Sequence, residues 1–214
     1  DARVSAANLA KPKEGVRVLP FKEIKRRVER AFPRNSQEIP KQNLYINMYA
    51  EFVSRDDMKN LKLSTERPPQ NVDALKRLRL PQNTLYVSKK SAVIALVDYK
   101  TSNLYGPQRF AFSEKVSKLI WEYIKGNKLL ETDKTSGTLF GKSGMSTFVG
   151  NMLDAIGQAR GNEGAINVLR KSYVSSEMDK AGAGMTADER QALAFHMRHS
   201  VNTSYKYVRD LAKD

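Results

Sequence analysis

The sequence contains no cysteine, which excludes disulfides, thiolate metal sites and cysteine nucleophiles. Its only two histidines, His196 and His199, exclude a metal centre built from several histidine ligands. No apolar run approaches the roughly 18 residues of a membrane span, and the N-terminal residues have no apolar signal core. We therefore expect an intracellular protein with no metal, no small-molecule cofactor and no membrane partner.

Positive charge is in large excess. The 214 residues include 37 Lys and Arg against 23 Asp and Glu, which gives a formal net charge of +14 at pH 7. Residues 163–214 hold 8 basic and 7 acidic side chains, so almost all of the excess lies upstream of them. Such a charge favours a polyanionic partner. Double-stranded DNA is the first candidate, ahead of an anionic membrane surface or a basic protein of the ribosomal kind.

Residues 1–40 are predicted to form a basic N-terminal arm and a helix. Apolar spacing places that helix at Phe21–Phe32. Four basic side chains surround its apolar face: Lys25, Arg26, Arg27 and Arg30. They either contact phosphates or form a solvated face. Residues 41–214 are predicted to form a single domain.

The middle of that domain is the only part that favours β-structure. Short β-branched or aromatic segments at Thr84–Ser88, Ala92–Tyr99 and Arg109–Phe112 predict a three-stranded antiparallel sheet. Apolar periodicity predicts helices elsewhere, at about 42–60, 72–78, 114–125, 146–158, 165–178, 186–197 and 202–212. The short helix at 72–78 brings three further candidate DNA-binding residues, Lys76, Arg77 and Arg79. The predicted fold class is α+β, mainly helical, with helices packed on the small sheet.

The last 50 residues or so contain three motifs in a fixed order. Arg170 lies in the helical segment LRKSY, Met197–Ser200 has the sequence MRHS, and Tyr207 lies eight residues after His199. This order resembles the tyrosine recombinases, the phage-integrase type, in which an HxxR helix, a turn of the GHS type and a tyrosine follow one another. Upstream, Lys100 in VDYKTSNLYG is similar to the lysine of their β-hairpin.

The resemblance covers roughly residues 60–214 and implies a recombinase-type catalytic domain that cuts and rejoins DNA without a metal. Tyr207 would attack the scissile phosphate and form a phosphotyrosyl bond. Arg170 and His199 would stabilise charge on the phosphoryl oxygens, and Lys100 would protonate the departing 5′ oxygen. A homo-oligomer assembled on DNA is a further expectation. Additional DNA contacts are expected from Lys142, Lys171 and Arg198.

Each of these roles has a structural alternative. In the last predicted helix Tyr205 follows the apolar stripe, whereas Tyr207 lies about 200° away from it, which favours Tyr207 as the nucleophile. Arg170 is flanked by core positions, so it is either a phosphate ligand or a buried ion-pair partner. His199 follows a helix end and can serve as a partner of the helix dipole.

Two positions depart from the family pattern. Where related sequences look like PPxR, this chain has Pro68-Pro69 followed by Gln70 and Asn71, with Arg67 before the prolines. The histidine of HxxR is Asn167. These departures leave a second hypothesis open, a catalytically degenerate relative that binds DNA or helps to assemble a structure such as a virion. A type IB topoisomerase-like enzyme is a third. Each hypothesis predicts a DNA-associated protein in a nucleus, nucleoid or virion.

Overall fold

The computed structural model describes residues 17–35, 38–53, 58, 61–130, 139–140, 144–161, 163–180 and 185–197. Within them the fold is α+β, as the sequence predicted. The helices are α1 (Phe21–Ala31), α2 (Lys41–Glu51), α3 (Val72–Leu78), α4 (Ser102–Tyr105), α5 (Glu114–Gly126), α6 (Met145–Ala155), α7 (Ala165–Lys180) and α8 (Ala187–His196). The strands are β1 (Lys62–Ser64), β2 (Thr84–Val87), β3 (Ala92–Leu96) and β4 (Gln108–Ala111).

The chain divides into two compact units. Unit 1 comprises Asp1–Ala31 and Ser146–Asp214, and unit 2 comprises Phe32–Met145. Helices α1, α7 and α8 therefore belong to unit 1, together with nearly all of α6, and the sheet belongs to unit 2. The boundary predicted after residue 40 stays a prediction. Within the described ranges, no helix is both long and apolar enough to cross a membrane.

The sheet has four strands rather than the predicted three, in the order β1-β2-β3-β4. Strands β2, β3 and β4 pair antiparallel, as expected, but β1 pairs parallel to β2 with Leu63 opposite Leu85. The prediction of a purely antiparallel sheet is therefore wrong. Strand β1 has only three residues, too few to show a period of two, and the parallel pairing depends on the crossover through α3, which no local pattern reveals.

Both faces of the sheet are covered, because every residue of β2 and β3 is buried. On one face Tyr86, Val93 and Ala95 form a cluster with Leu75 of α3. Helix α5 contacts β3 and β2. The buried hydroxyl of Ser117 in α5 also accepts a hydrogen bond from the N–H of Ala92 across 2.9 Å. The strands consequently have apolar runs rather than the alternation of a half-exposed sheet.

Three helices show how the sequence sets the ends of elements. Helix α5 begins where the Ser113 hydroxyl accepts the N–H of Val116, and it buries the predicted apolar stripe. Helix α8 begins with a capping box between Thr186 and Glu189, at the predicted beginning of the helix. Helix α2 ends at Glu51, well before the predicted residue 60, and the backbone of the next residue already lies outside helical geometry.

Unit 1 is held together by α1 and α7, which pack on each other. The N–H of Phe21 donates to the hydroxyl of Ser176 across 2.8 Å, and the hydroxyl of Ser172 donates to the carbonyl of Leu19 across 2.6 Å. These bonds satisfy backbone groups at the beginning of α1 that have no partner inside the helix. The predicted basic helix is thus an integral part of unit 1.

Candidate functional site

Arg170 lies in the interior of α7 and is almost completely buried, with 1% of its surface exposed. Its Nη2 donates a hydrogen bond to the carbonyl oxygen of Met197 across 3.0 Å. Met197 is the C-cap residue of α8 and the first residue of the MRHS motif. The structure therefore brings two of the sequence motifs together inside unit 1: the arginine helix and the beginning of the histidine turn.

The remaining members of the C-terminal constellation lie outside the described residues. These are Arg198, His199 and Tyr207, together with the alternative nucleophile Tyr205 and the predicted helix 202–212. Lys142 also lies outside the described residues. Their predicted roles stay predictions.

Lys171 was expected to contact DNA, but the structure places it inside unit 1. Only 7% of its surface is exposed, and its Nζ forms an ion pair with the carboxylate of Glu163. An ammonium group that is neutralised in this way is unavailable to a phosphate unless the pair opens. The sequence gives no signal for the partner of Lys171, which lies eight residues upstream.

Tyr173, one turn after Arg170 on the same helix, is held by two rings. It meets Phe21 of α1 edge to face with centroids 5.2 Å apart, and it stacks on His196 with centroids 6.1 Å apart. Burial, with a smaller contribution from the nearby Glu177 carboxylate, raises the pKa of Tyr173 to about 12. A phenol with such a pKa is a poor source of phenolate at neutral pH, so the environment of Tyr173 is that of a packing residue.

Lys100 is exposed and lies in the connection between the antiparallel strands β3 and β4 of unit 2. Two side chains fix the backbone around it. The Oδ1 of buried Asn83 accepts the N–H groups of residues 97 and 98, each at 2.9 Å, and its Nδ2 donates to the carbonyl of residue 98 at 2.6 Å. The hydroxyl of Tyr99 donates to the carbonyl of Gly106 across 2.6 Å. Lys100 is thus presented from a fixed turn.

Unlike Lys171, the paired arginines of α1 remain exposed to solvent. Arg26 and Arg27 both bind the carboxylate of Glu23, at 2.7 and 2.6 Å, yet their side chains remain 64% and 38% exposed. Lys25 lies 3.9 Å from Glu29, and Arg30 is exposed. The surface of α1 therefore keeps a net positive charge that a phosphate can reach.

The basic side chains of α3 are also on the surface of unit 2. Lys76, Arg77 and Arg79 are all exposed, and Lys76 has a loose contact of 3.4 Å with Asp73. Of the apolar residues that line this helix, Leu75 is buried in the cluster on the sheet, whereas Val72 and Leu78 are exposed.

Arg109 is a residue that sequence reasoning treated only as part of a strand. It lies on β4 opposite Ala95, so it points to the same face of the sheet as the α3 cluster. Its Nε donates to the carbonyl of Pro69 across 2.7 Å, directly before Gln70. One signal was available in the sequence, a lone charged residue within an otherwise apolar and aromatic strand.

The segment after the paired prolines is structured by Asn71. Its Oδ1 accepts the N–H of Ala74 across 2.8 Å, which makes Asn71 the N-cap of α3, while Gln70 is exposed. Of the two residues at which the family pattern would place an arginine, Asn71 is therefore committed to capping the helix.

A surface that carries both lysines and glutamates lies beside the turn between β2 and β3. Lys89 and Lys90 at that turn line a cavity of about 960 Å³ with Lys118, Trp121 and Lys125 of α5. The ammonium of Lys125 lies 6.0 Å from the centre of the Trp121 ring. The same cavity is lined by three glutamates, Glu38, Glu114 and Glu122, so its charge is nearly balanced.

Neither metal-site geometry nor known relatives identify the site. Among the residues that the structure describes, no three His, Asp or Glu side chains are grouped closely enough to hold a metal ion. No family model, curated protein or solved structure matches the chain. The resemblance to the tyrosine recombinases therefore depends on the motifs of this sequence alone.

Proposed function

We propose that the chain is a DNA-binding protein of the tyrosine recombinase type, which cuts and rejoins a DNA strand through a phosphotyrosyl intermediate. The observation that carries the proposal is the hydrogen bond from Arg170 to the carbonyl of Met197. It places the arginine helix in contact with Met197, the first residue of the MRHS segment, 27 residues further along the chain. A phosphate site shared by Arg170 and His199 would need the two segments to begin close together.

In the proposed reaction the phenol oxygen of Tyr207 attacks phosphorus and the bond to the 5′ oxygen breaks. The phenolic proton passes to solvent, and Lys100 gives a proton to the departing 5′ oxygen. Arg170 and His199 stabilise the negative charge that develops on the non-bridging oxygens. Attack by a 5′ hydroxyl on the phosphotyrosyl bond reverses these steps and rejoins a strand.

Charge supports the choice of DNA as partner. The formal net charge is +14, and exposed cations are present on α1 and α3. Each phosphate that a Lys or Arg neutralises releases counterions, so we expect affinity for a DNA duplex to fall steeply with salt. The expected dependence has a slope of about −0.9 per phosphate contact on logarithmic axes.

A second function, DNA binding or assembly without strand cleavage, is favoured by two specific observations. Arg170 is 1% exposed, as in a side chain that organises a core. Asn71, which stands where the PPxR pattern of the family has an arginine, caps α3 instead. Losing one guanidinium from a phosphoryl-transfer site costs roughly 3–4 kcal/mol of transition-state stabilisation, by analogy with a lost oxyanion donor.

A nicked duplex that traps the covalent intermediate separates the two functions. The wild-type chain is expected to form an adduct that survives denaturing electrophoresis, that is lost in Tyr207→Phe and that is retained in Tyr205→Phe. Salt-dependent binding with no adduct from the wild type would establish the second function instead. Absence of both would overturn the proposal.

A further inference from the structure

We infer that Arg109 is a phosphate ligand, so that β4 provides the guanidinium that residues 70 and 71 lack. This inference rests on the proposed function and deepens it. The structure places Arg109 beside the segment that follows the paired prolines, because the Nε of Arg109 donates a hydrogen bond to the carbonyl of Pro69, one peptide unit before Gln70.

The electrostatics of Arg109 favour an anion. The side chain is half-buried, and no carboxylate among the described residues pairs with it. Three other arginines of the described part, Arg26, Arg27 and Arg160, are neutralised by a carboxylate, whereas Arg109 shares with Arg77 and Arg79 the lack of such a partner among the described residues. A guanidinium has five N–H donors, and the bond to Pro69 uses only one of them. The four hydrogens of the two Nη atoms form the fork that matches two phosphate oxygens.

The side chains of Gln70 and Asn71 leave the Nη atoms of Arg109 available to a ligand. Gln70 is exposed, and Asn71 points its Oδ1 back to the N–H of Ala74. Neither side chain therefore competes for the Nη atoms of Arg109. The strand on which Arg109 lies follows the connection that presents Lys100, so a single β3–β4 hairpin would deliver both cations to the DNA backbone.

The competing explanation is structural. A single hydrogen bond to Pro69 would attach the paired prolines to β4, and this function needs the Nε donor but not the positive charge. The two explanations differ in the expected effect of removing the positive charge of Arg109 and then supplying a positive charge from a neighbouring residue. Gln70 is exposed and adjacent, so the substitution Gln70→Arg supplies that charge.

The test measures the affinity of the full chain for a duplex over a salt series, by fluorescence anisotropy, for three variants. Arg109→Gln is expected to reduce the magnitude of the logarithmic salt slope by about 0.9, and Gln70→Arg in the same chain is expected to restore it. Arg160→Gln is the control, since it removes one positive charge that Asp154 already neutralises at 2.7 and 2.9 Å. Its slope should stay within about 0.3 of the wild type.

Adduct formation on the nicked duplex gives the second readout. Arg109→Gln is expected to slow trapping by about 100-fold or more, with recovery in the double variant. A slope and trapping rate that match those of Arg160→Gln, together with a lower melting temperature, would show that Arg109 only attaches the prolines and would overturn the inference. A wild-type chain that binds no DNA would instead overturn the proposed function and the inference with it.

Discussion

The guanidinium of Arg170 and the carbonyl of Met197 are joined by a hydrogen bond of 3.0 Å in the interior of unit 1. Met197 is itself 1% exposed, so neither partner of this bond is in contact with bulk water. A charged donor that is removed from water needs such a partner, because an unsatisfied buried group costs several kcal/mol. The bond therefore fixes the point from which the MRHS segment leaves α8, whatever the chemistry of that segment.

Asn83 is predicted to control the position of Lys100. Asn83→Ala removes three hydrogen bonds to the backbone of residues 97 and 98 and should lower the free energy of unfolding by about 3 kcal/mol. Asn83→Asp keeps the two bonds that Oδ1 accepts, but its second oxygen can donate to the carbonyl of residue 98 only when the carboxyl is protonated, so this variant should lose less stability at acidic than at neutral pH. Urea denaturation at both pH values measures the losses relative to the wild type, and a loss for Asn83→Asp that does not change with pH would contradict this account of the turn.

The two residues after the paired prolines should differ in how well they tolerate replacement by arginine. Asn71→Arg removes the N-cap of α3 and should lower the free energy of unfolding by about 1 kcal/mol. Gln70→Arg changes an exposed side chain and should alter stability by less than about 0.5 kcal/mol. Thermal denaturation of the two variants distinguishes them, and a greater loss for Gln70→Arg would refute the assigned cap.

Arg79 ends α3 in the left-handed region, with φ 45° and ψ 48°. Glycine adopts this conformation without steric cost, so Arg79→Gly should raise the free energy of unfolding by up to about 1 kcal/mol. Arg77→Gly, inside the same helix, should lower it by about 1 kcal/mol and serves as the control. If Arg79 contacts phosphate, the stabilised variant will nevertheless bind a DNA duplex more weakly at low salt.

Acid should weaken α1 through Glu23. Hydrogen bonds from Arg26 and Arg27 lower the pKa of Glu23 from 4.5 to about 2. A carboxyl with a depressed pKa stabilises the folded state above pH 4.5 and loses that contribution as pH falls towards 2. Glu23→Gln should therefore melt at a lower temperature than the wild type at pH 7, and the two should converge near pH 2.

The matched control for Glu23 is Glu29→Gln on the same helix. Glu29 lies 3.9 Å from Lys25 with 42% of its side chain exposed, and such surface pairs contribute little. Its melting temperature should follow that of the wild type at both pH values. A gap between Glu23→Gln and the wild type that persists unchanged at pH 2 would contradict the assigned ion pairs.

Local patterns were sufficient for elements that follow one apolar period. Helices α1 and α5 and strands β2, β3 and β4 lie within a few residues of their predicted ends, because amphipathic spacing and β-branched runs are properties of the local sequence. Strand β1 was missed because three residues, KLS, contain no period. Its pairing with β2 is decided by residues beyond it in the chain.

The candidate site was less accessible to sequence reasoning than the fold. Lys171 and Arg109 show why: the sequence shows that each is basic but not which partner it meets. Glu163, just before the beginning of α7, neutralises Lys171 within that helix, whereas β4 turns Arg109 towards the prolines, some 40 residues upstream in the sequence. A basic side chain in the sequence therefore does not reveal whether it meets a carboxylate, as Lys171 does, or a backbone carbonyl, as Arg109 does.

The most direct test of the central claim identifies the residue that becomes attached to DNA. Cleavage after lysine separates the two candidate nucleophiles, because Lys206 lies between Tyr205 and Tyr207. After trapping on a nicked duplex, nuclease trimming and mass spectrometry, we predict a nucleotide remnant on peptide 207–213. A remnant on the peptide that contains Tyr205, or on neither peptide while DNA binding persists, would contradict the claim.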